Sequence, residues 1–269
     1  MVPVEAALRR QRAVILAALA LLTLLAWGWL AAGAGMGMAA QAWLPFARPA
    51  AGSVGAMAGM AMPAPGDWSL ARLLLAVSMW WVMMVAMMLP AAAPTILLYA
   101  RAAVAQKAAA RPAPGCFLAG YLLVWGLFSL AAAGLQDTLQ GAGELAPMTL
   151  DSTARWLSAA FLVAAGVYQL SPFKDACLAH CRSPAAFLAR HYRPGRAGAL
   201  RMGAIHGAWC LGCCWLLMAL LFVGGVMNLA WIALLSLLVA AEKLLPGGRR
   251  VGRAAGLAFF AWGAWVALA

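Results

Sequence analysis

The sequence predicts an all-α polytopic membrane protein, a transmembrane helical bundle of about seven spans. Three observations carry this. The 269 residues are 66% hydrophobic and only 10% charged, against about half and about a quarter in a soluble domain. Mean hydropathy is +0.89. The apolar residues also fall in long continuous runs, without the roughly ten-residue alternating segments of an outer-membrane barrel. The net charge of +12 and pI near 10.4 read as the Lys and Arg excess that flanks spans on the cytoplasmic side. They do not indicate a nucleic-acid partner; the lipid bilayer is the expected surrounding.

A helix needs about 20 apolar residues to cross the hydrocarbon core, and seven segments qualify or nearly do. The first runs from Ala13 to Ala32, the second from Leu70 to Ala100 and the third from Cys116 to Leu135. The fourth, Trp156 to Leu170, is short. The fifth spans Gly203 to Val223 and the sixth Val226 to Ala241, joined by the turn Gly224-Gly225-Val226-Met227-Asn228 as an antiparallel hairpin. The last runs from Ala254 to Ala269. Pro90 and Pro94 fall inside the second run, so that span is expected to kink or break near its inner end. The first run follows Arg9, Arg10 and Arg12. Its length exceeds the roughly 7–15 residues of a signal-peptide core, so a retained anchor is expected; if it is cleaved, six spans remain.

With the N-terminus inside, 16 of the 19 Lys and Arg residues lie on the cytoplasmic side, and only Arg48, Arg72 and Arg155 lie outside. A bacterial cytoplasmic (inner) membrane location follows, multi-pass, with a cytoplasmic N-terminus and an extracytoplasmic C-terminus. The chain then divides into a tail and first span (1–32), a Met-, Gly- and Pro-rich extracytoplasmic loop (33–68), a core membrane domain (69–246) containing the cytoplasmic segment 172–203, and a basic loop with the last span (247–269). No internal repeat supports an inverted-repeat transporter.

All six cysteines fall on the cytoplasmic half of this topology. In a reducing compartment such clusters point to metal or redox chemistry more than to disulfides. Cys177 and Cys181 are four residues apart, one face of a helix. His206, Cys210, Cys213 and Cys214 follow at intervals of four, three and one, which puts an imidazole and thiols on one face of the fifth span. Brought together, the two groups offer soft ligands, with His180 or His206 able to replace one. Cysteine also packs helices closely, and that is the expected role of the isolated Cys116.

Methionine adds a second pattern. Met79, Met83 and Met87 form a stripe on the second span with Met84 and Met88 beside it, and the outer loop holds Met36, Met38, Met57, Met60 and Met62. Thioethers bind Cu(I) well and hard cations poorly; they also fill gaps in helix packing. Glu242 and Lys243 end the sixth span. Glu242 is a candidate ligand or ligand partner that the hairpin returns to the depth of the cysteines, while Lys243 is expected to snorkel to the interface.

The blocks WWVMMVAMMLP (Trp80–Pro90), AGVYQLSPFKDACLAHCR (Ala165–Arg182) and GAWCLGCCWLLMALLFVGGVMN (Gly207–Asn228), with Glu242-Lys243, resemble the bacterial domain of unknown function 2182 family of predicted metal-binding integral membrane proteins. The resemblance covers Leu70 to Pro246 and implies a helical membrane protein that binds metal, without assigning ligands. The residues themselves point to a membrane protein for a soft metal, Cu(I) foremost, acting in uptake, transfer or metallocentre assembly. Its expected partners are the metal ion and a metallochaperone or membrane protein. The ligand candidates are Cys177, Cys181, Cys210, Cys213, Cys214, His206, Met79, Met83, Met87 and Glu242. Zinc, or one haem on His206, also fits these donors. A transmembrane thiol–disulfide carrier would use the same cysteines without needing the methionines, and a non-catalytic assembly subunit would need neither. No phosphate loop, zincin motif or paired intramembrane carboxylates mark an enzyme.

Overall fold

The structure is a computed structural model that describes residues 2–34, 70–105, 113–146 and 150–269. The outer-loop methionines Met36, Met38, Met57, Met60 and Met62, and the basic residues Arg48, Lys107 and Arg111, lie outside the described residues. Among the described residues ten helices follow one another: α1 (Val2–Ala31), α2 (Leu70–Ala105), α3 (Pro114–Gly141), α4 (Arg155–Gln169), α5 (Pro172–Arg182), α6 (Pro184–His191), α7 (Gly195–Ala219), the single turn α8 (Leu221–Gly224), α9 (Leu229–Leu244) and α10 (Gly248–Leu268). Among the described residues the only β-type pairing is an isolated bridge, Leu145 to Ser152.

Among the described residues five helices are long and apolar enough to cross a membrane: Arg9–Ala31, Leu70–Val104, Pro114–Gly141, Gly195–Gly224 and Gly248–Leu268; α4 and α5 taken as one broken span make a sixth. The expected count of seven is not reached because α9 has 16 residues, about 24 Å at 1.5 Å per residue, short of a core about 30 Å thick. The last span, by contrast, begins earlier than its apolar run, at Gly248. Leu21, Leu24 and Leu25 on α1, and Leu123, Leu127 and Leu130 on α3, are exposed. An apolar exterior around a packed interior fits a membrane protein.

Helix α2 runs unbroken through Pro90 and Pro94; the expected break does not occur. Proline removes the bond to the carbonyl four residues back, and for Pro90 that carbonyl is Ala86, which accepts instead from the Trp27 indole Nε1 at 3.2 Å. The neighbouring carbonyls of Met88 and Met87 accept second bonds from the Tyr121 hydroxyl at 3.2 Å and the Ser236 hydroxyl at 3.4 Å. A neighbouring helix thus re-satisfies the carbonyl that Pro90 orphans, as packed proline helices require.

The tightest crossings are α3 on α7 and α4 on α10, and both use glycine. A Cβ on Gly203 would strike the Phe117 carbonyl, one on Gly120 the Leu200 carbonyl, and one on Gly207 would lie 3.1 Å from the Tyr121 oxygen. On the other pair, a Cβ on Gly166 would lie 2.8 Å from the Gly256 oxygen and one on Gly263 2.9 Å from the Leu162 Cβ. Backbones in contact are the usual way small residues join helices in lipid. Pro172 at the first turn and Ser171, whose hydroxyl caps the Lys174 amide at 3.2 Å, start α5 at a 64° bend from α4. That bend lays α5 across α7.

Candidate metal centre

Helix α7 carries His206, Cys210, Cys213 and Cys214 inward, all buried. Its glycine contact with α3 holds this face against Tyr121, and Cys210 becomes a hub. Its sulfur lies 3.0 Å from the Tyr121 hydroxyl and 2.9 Å from the Lys243 ammonium nitrogen. One helical turn on, Cys214 approaches the Met88 thioether of α2 at 3.8 Å. The Lys243 Nζ is 3.9 Å from both Cys214 Sγ and Met88 Sδ. Cys213 and Cys214 each donate to the Cys210 carbonyl, at 3.1 and 3.0 Å, a common resting geometry for small polar groups on a helix.

From α5, Cys181 lies in side-chain contact with Cys210 and Cys213. Cys177, one turn earlier, packs on α7 beside Gly212, where a Cβ would lie 2.9 Å from its sulfur. The two α5 cysteines therefore share a helix face, but Cys181 reaches the hub and Cys177 sits at its edge. Cys116, at the start of α3, is half-buried and makes no hydrogen bond with the hub among the described residues. His180 is not at the hub: it stacks flat on Trp209, centroids 4.0 Å apart, with Nδ1 on the Ala176 carbonyl at 2.9 Å. His206 sits among Phe117, Tyr121 and Phe187, centroids 6.0, 5.8 and 5.3 Å away, and its buried Nδ1 has no hydrogen-bond partner.

Met79, Met83 and Met87 are buried in the bundle. The methionine whose sulfur meets the cysteines is Met88, next to the stripe. Successive helical residues are about 100° apart, so the adjacent row, not the stripe itself, is the one turned to Cys214.

The pair Glu242-Lys243 departs most from expectation. Neither snorkels; both are buried. The Glu242 carboxylate takes an ion pair from Lys174 at 2.5 Å and a bond from Gln169 Nε2 at 2.7 Å. Arg182 donates to the Glu242 backbone carbonyl and, at 3.0 Å, to that of Pro246. Glu242 thus ties α4 and α5 to the end of α9, facing away from the thiols. Lys174, one of the basic residues of the segment 172–203, is buried for this pairing. Lys243, one residue on and so on another helix face, enters the sulfur cluster. Its signal in the sequence was the hairpin itself: a lysine returned to the depth of a Cys-x-x-Cys-Cys motif has thiols in reach.

Among the described residues no three His, Cys, Asp or Glu side chains are arranged to close on a metal ion. The thiols are turned to the Cys210 carbonyl, and the Lys243 ammonium stands between Cys210, Cys214 and Met88.

The family model for PpoB2, described as a copper chaperone, matches residues 77–266. Comparison with curated proteins and with solved structures finds no match. The match begins two residues before Met79 and runs through α10, so it contains every residue of the sulfur cluster but not the Met-rich outer loop. The chain belongs to the PpoB2 copper-chaperone family.

Proposed function

We propose that this chain is an integral membrane copper chaperone that holds Cu(I) on sulfur at the meeting point of α2, α5 and α7 and passes it to a protein acceptor. The observation that carries this reading is the convergence of Cys210, Cys214 and Met88 on one buried point, with Cys181 and Cys213 alongside. Mixed thiolate and thioether donors select Cu(I) over hard cations, and a thioether adds nothing for zinc. A two- or three-coordinate ion also suits transfer, because an incoming thiolate has an open position to attack. Cys177, at the edge of the cluster beside Gly212, is the first relay from the hub toward α5. His206, with a free Nδ1, is a further donor within the same buried region. The charge asymmetry of the loops supports an inner-membrane protein with its N-terminus and this cluster toward the cytoplasm. Glu242 acts here by positioning Lys174 and the end of α9, not as a ligand.

The test is anaerobic Cu(I) titration of purified protein against a chromophoric Cu(I) chelator, with thiol counting on the same preparation. Tight binding of one Cu(I), lost in Cys210→Ser/Cys214→Ser, is the expected result. Absence of copper binding, with a disulfide that forms and reduces reversibly between Cys181 and an α7 cysteine, would replace this reading with a thiol–disulfide carrier.

A further inference from the structure

The hydrogen-bond partners of the Lys243 ammonium are all sulfur: Cys210 at 2.9 Å, Cys214 at 3.9 Å and Met88 at 3.9 Å. An ammonium has three donor hydrogens, and three sulfurs surround it. The side chain is buried, and the adjacent carboxylate, Glu242, is occupied by Lys174 and Gln169 on a different helix face. A buried cation needs a counter-charge or strong acceptors; the group placed to supply it is Cys210 as a thiolate, at 2.9 Å. The ammonium therefore occupies the position between the donors that a soft cation would take.

We infer that Lys243 is a placeholder cation: its ammonium holds the donor set together when no metal is present, and Cu(I) enters by displacing it from the sulfurs. This rests on the copper reading above. A soft ion bonded to thiolate sulfur sits about 2.3 Å away, as in zinc–thiolate sites. An ion so bonded to Cys210 and drawn toward Cys214 and Met88 falls on the volume that Nζ fills. Two cations cannot share it, so the lysine must withdraw as the metal binds. Its place allows this. Lys243 lies in the last turn of α9, where the helix dipole favours a cation, and its four-carbon stem is flexible. With Cys210 as the thiolate, the exchange puts one positive charge where another stood; a second bond from copper to Cys214 releases that thiol's proton to solvent. On release the ammonium returns to Cys210, which competes with copper for the same sulfur and speeds hand-over. Lys243 is thus a positioning residue for the empty site and a competitor for the loaded one, which is what a carrier needs and a storage site does not.

Lys243→Leu removes the charge and adds no donor to the cluster. Expected is unchanged stoichiometry, a sulfur-only coordination shell by X-ray absorption, and Cu(I) release to excess chelator slowed at least about tenfold. Release that is unchanged or faster at full stoichiometry would overturn the placeholder role while leaving the copper site standing. The second measurement needs no variant: a structure of the wild-type protein loaded with Ag(I). The ion bonded to Cys210 with Nζ withdrawn supports the exchange; the ion on these sulfurs with Nζ still at Cys210 overturns it. Ag(I) absent from the cluster would overturn both this inference and the copper reading.

Discussion

The Trp27 indole on α1 donates to the Ala86 carbonyl at 3.2 Å, the oxygen that Pro90 deprives of its helical partner. The proline and the tryptophan are thus energetically coupled although they lie on different helices. Trp27→Phe should destabilise the protein by about 0.6–1 kcal/mol, the usual size of such bonds between membrane helices. In a Pro90→Ala background the carbonyl regains an N–H, so the same substitution should cost markedly less. A double-mutant cycle read by thermal unfolding in detergent measures the difference; additive effects would mean that the indole bond carries none of the proline's cost.

Glu242 gives a larger effect of a different kind. Glu242→Leu leaves the buried Lys174 ammonium without its carboxylate, and losing one partner of a buried pair costs about 3–5 kcal/mol. Lys174→Met/Glu242→Leu removes both charges and should recover most of that loss. Unfolding midpoints of the three proteins check this, and equal loss in the single and double variants would show that the cost comes from the Gln169 contact instead.

The methionines divide by position. Met83→Leu/Met87→Leu keeps volume, so it should cost less than about 1.5 kcal/mol per site. If the buried stripe conducts copper to the cysteines, cellular copper loading of the acceptor falls while Cu(I) affinity of the purified protein is unchanged. Met88→Leu should do the reverse and weaken affinity itself, since Met88 Sδ is the thioether beside Cys214. Copper uptake unaffected by the double variant would return the stripe to packing.

Gly203→Leu should fail to assemble the α3–α7 crossing, because even a Cβ there strikes the Phe117 carbonyl. The helices must part, which carries Tyr121 away from Cys210. The expected readouts are a lower unfolding temperature and weakened Cu(I) binding together. Gly134→Ala, on α3 where a Cβ meets nothing within 4 Å, is the control and should change neither.

The sequence by itself determined the helical class, most span positions and the sulfur-rich character of the site. These are properties of single segments: apolar run length, and the spacing of Cys210, Cys213 and Cys214 around one helix. The turn at Gly224–Asn228 was legible too, because Gly225 adopts φ +93°, a conformation that glycine takes without strain, and the Asn228 side chain caps the Trp231 amide at 3.1 Å. What only the tertiary structure decided is which neighbours each side chain meets. Glu242 and Lys243 are adjacent in the chain, yet Glu242, the ligand candidate, pairs with Lys174, and Lys243, expected to snorkel, enters the thiols. Met87 and Met88 divide in the same way. The reason is the helical rotation of about 100° per residue: adjacent residues point to different partners, and the partners come from helices far away in sequence. The continuity of α2 through Pro90 was decided there as well, because the donor that replaces the missing bond, the Trp27 indole, comes from α1.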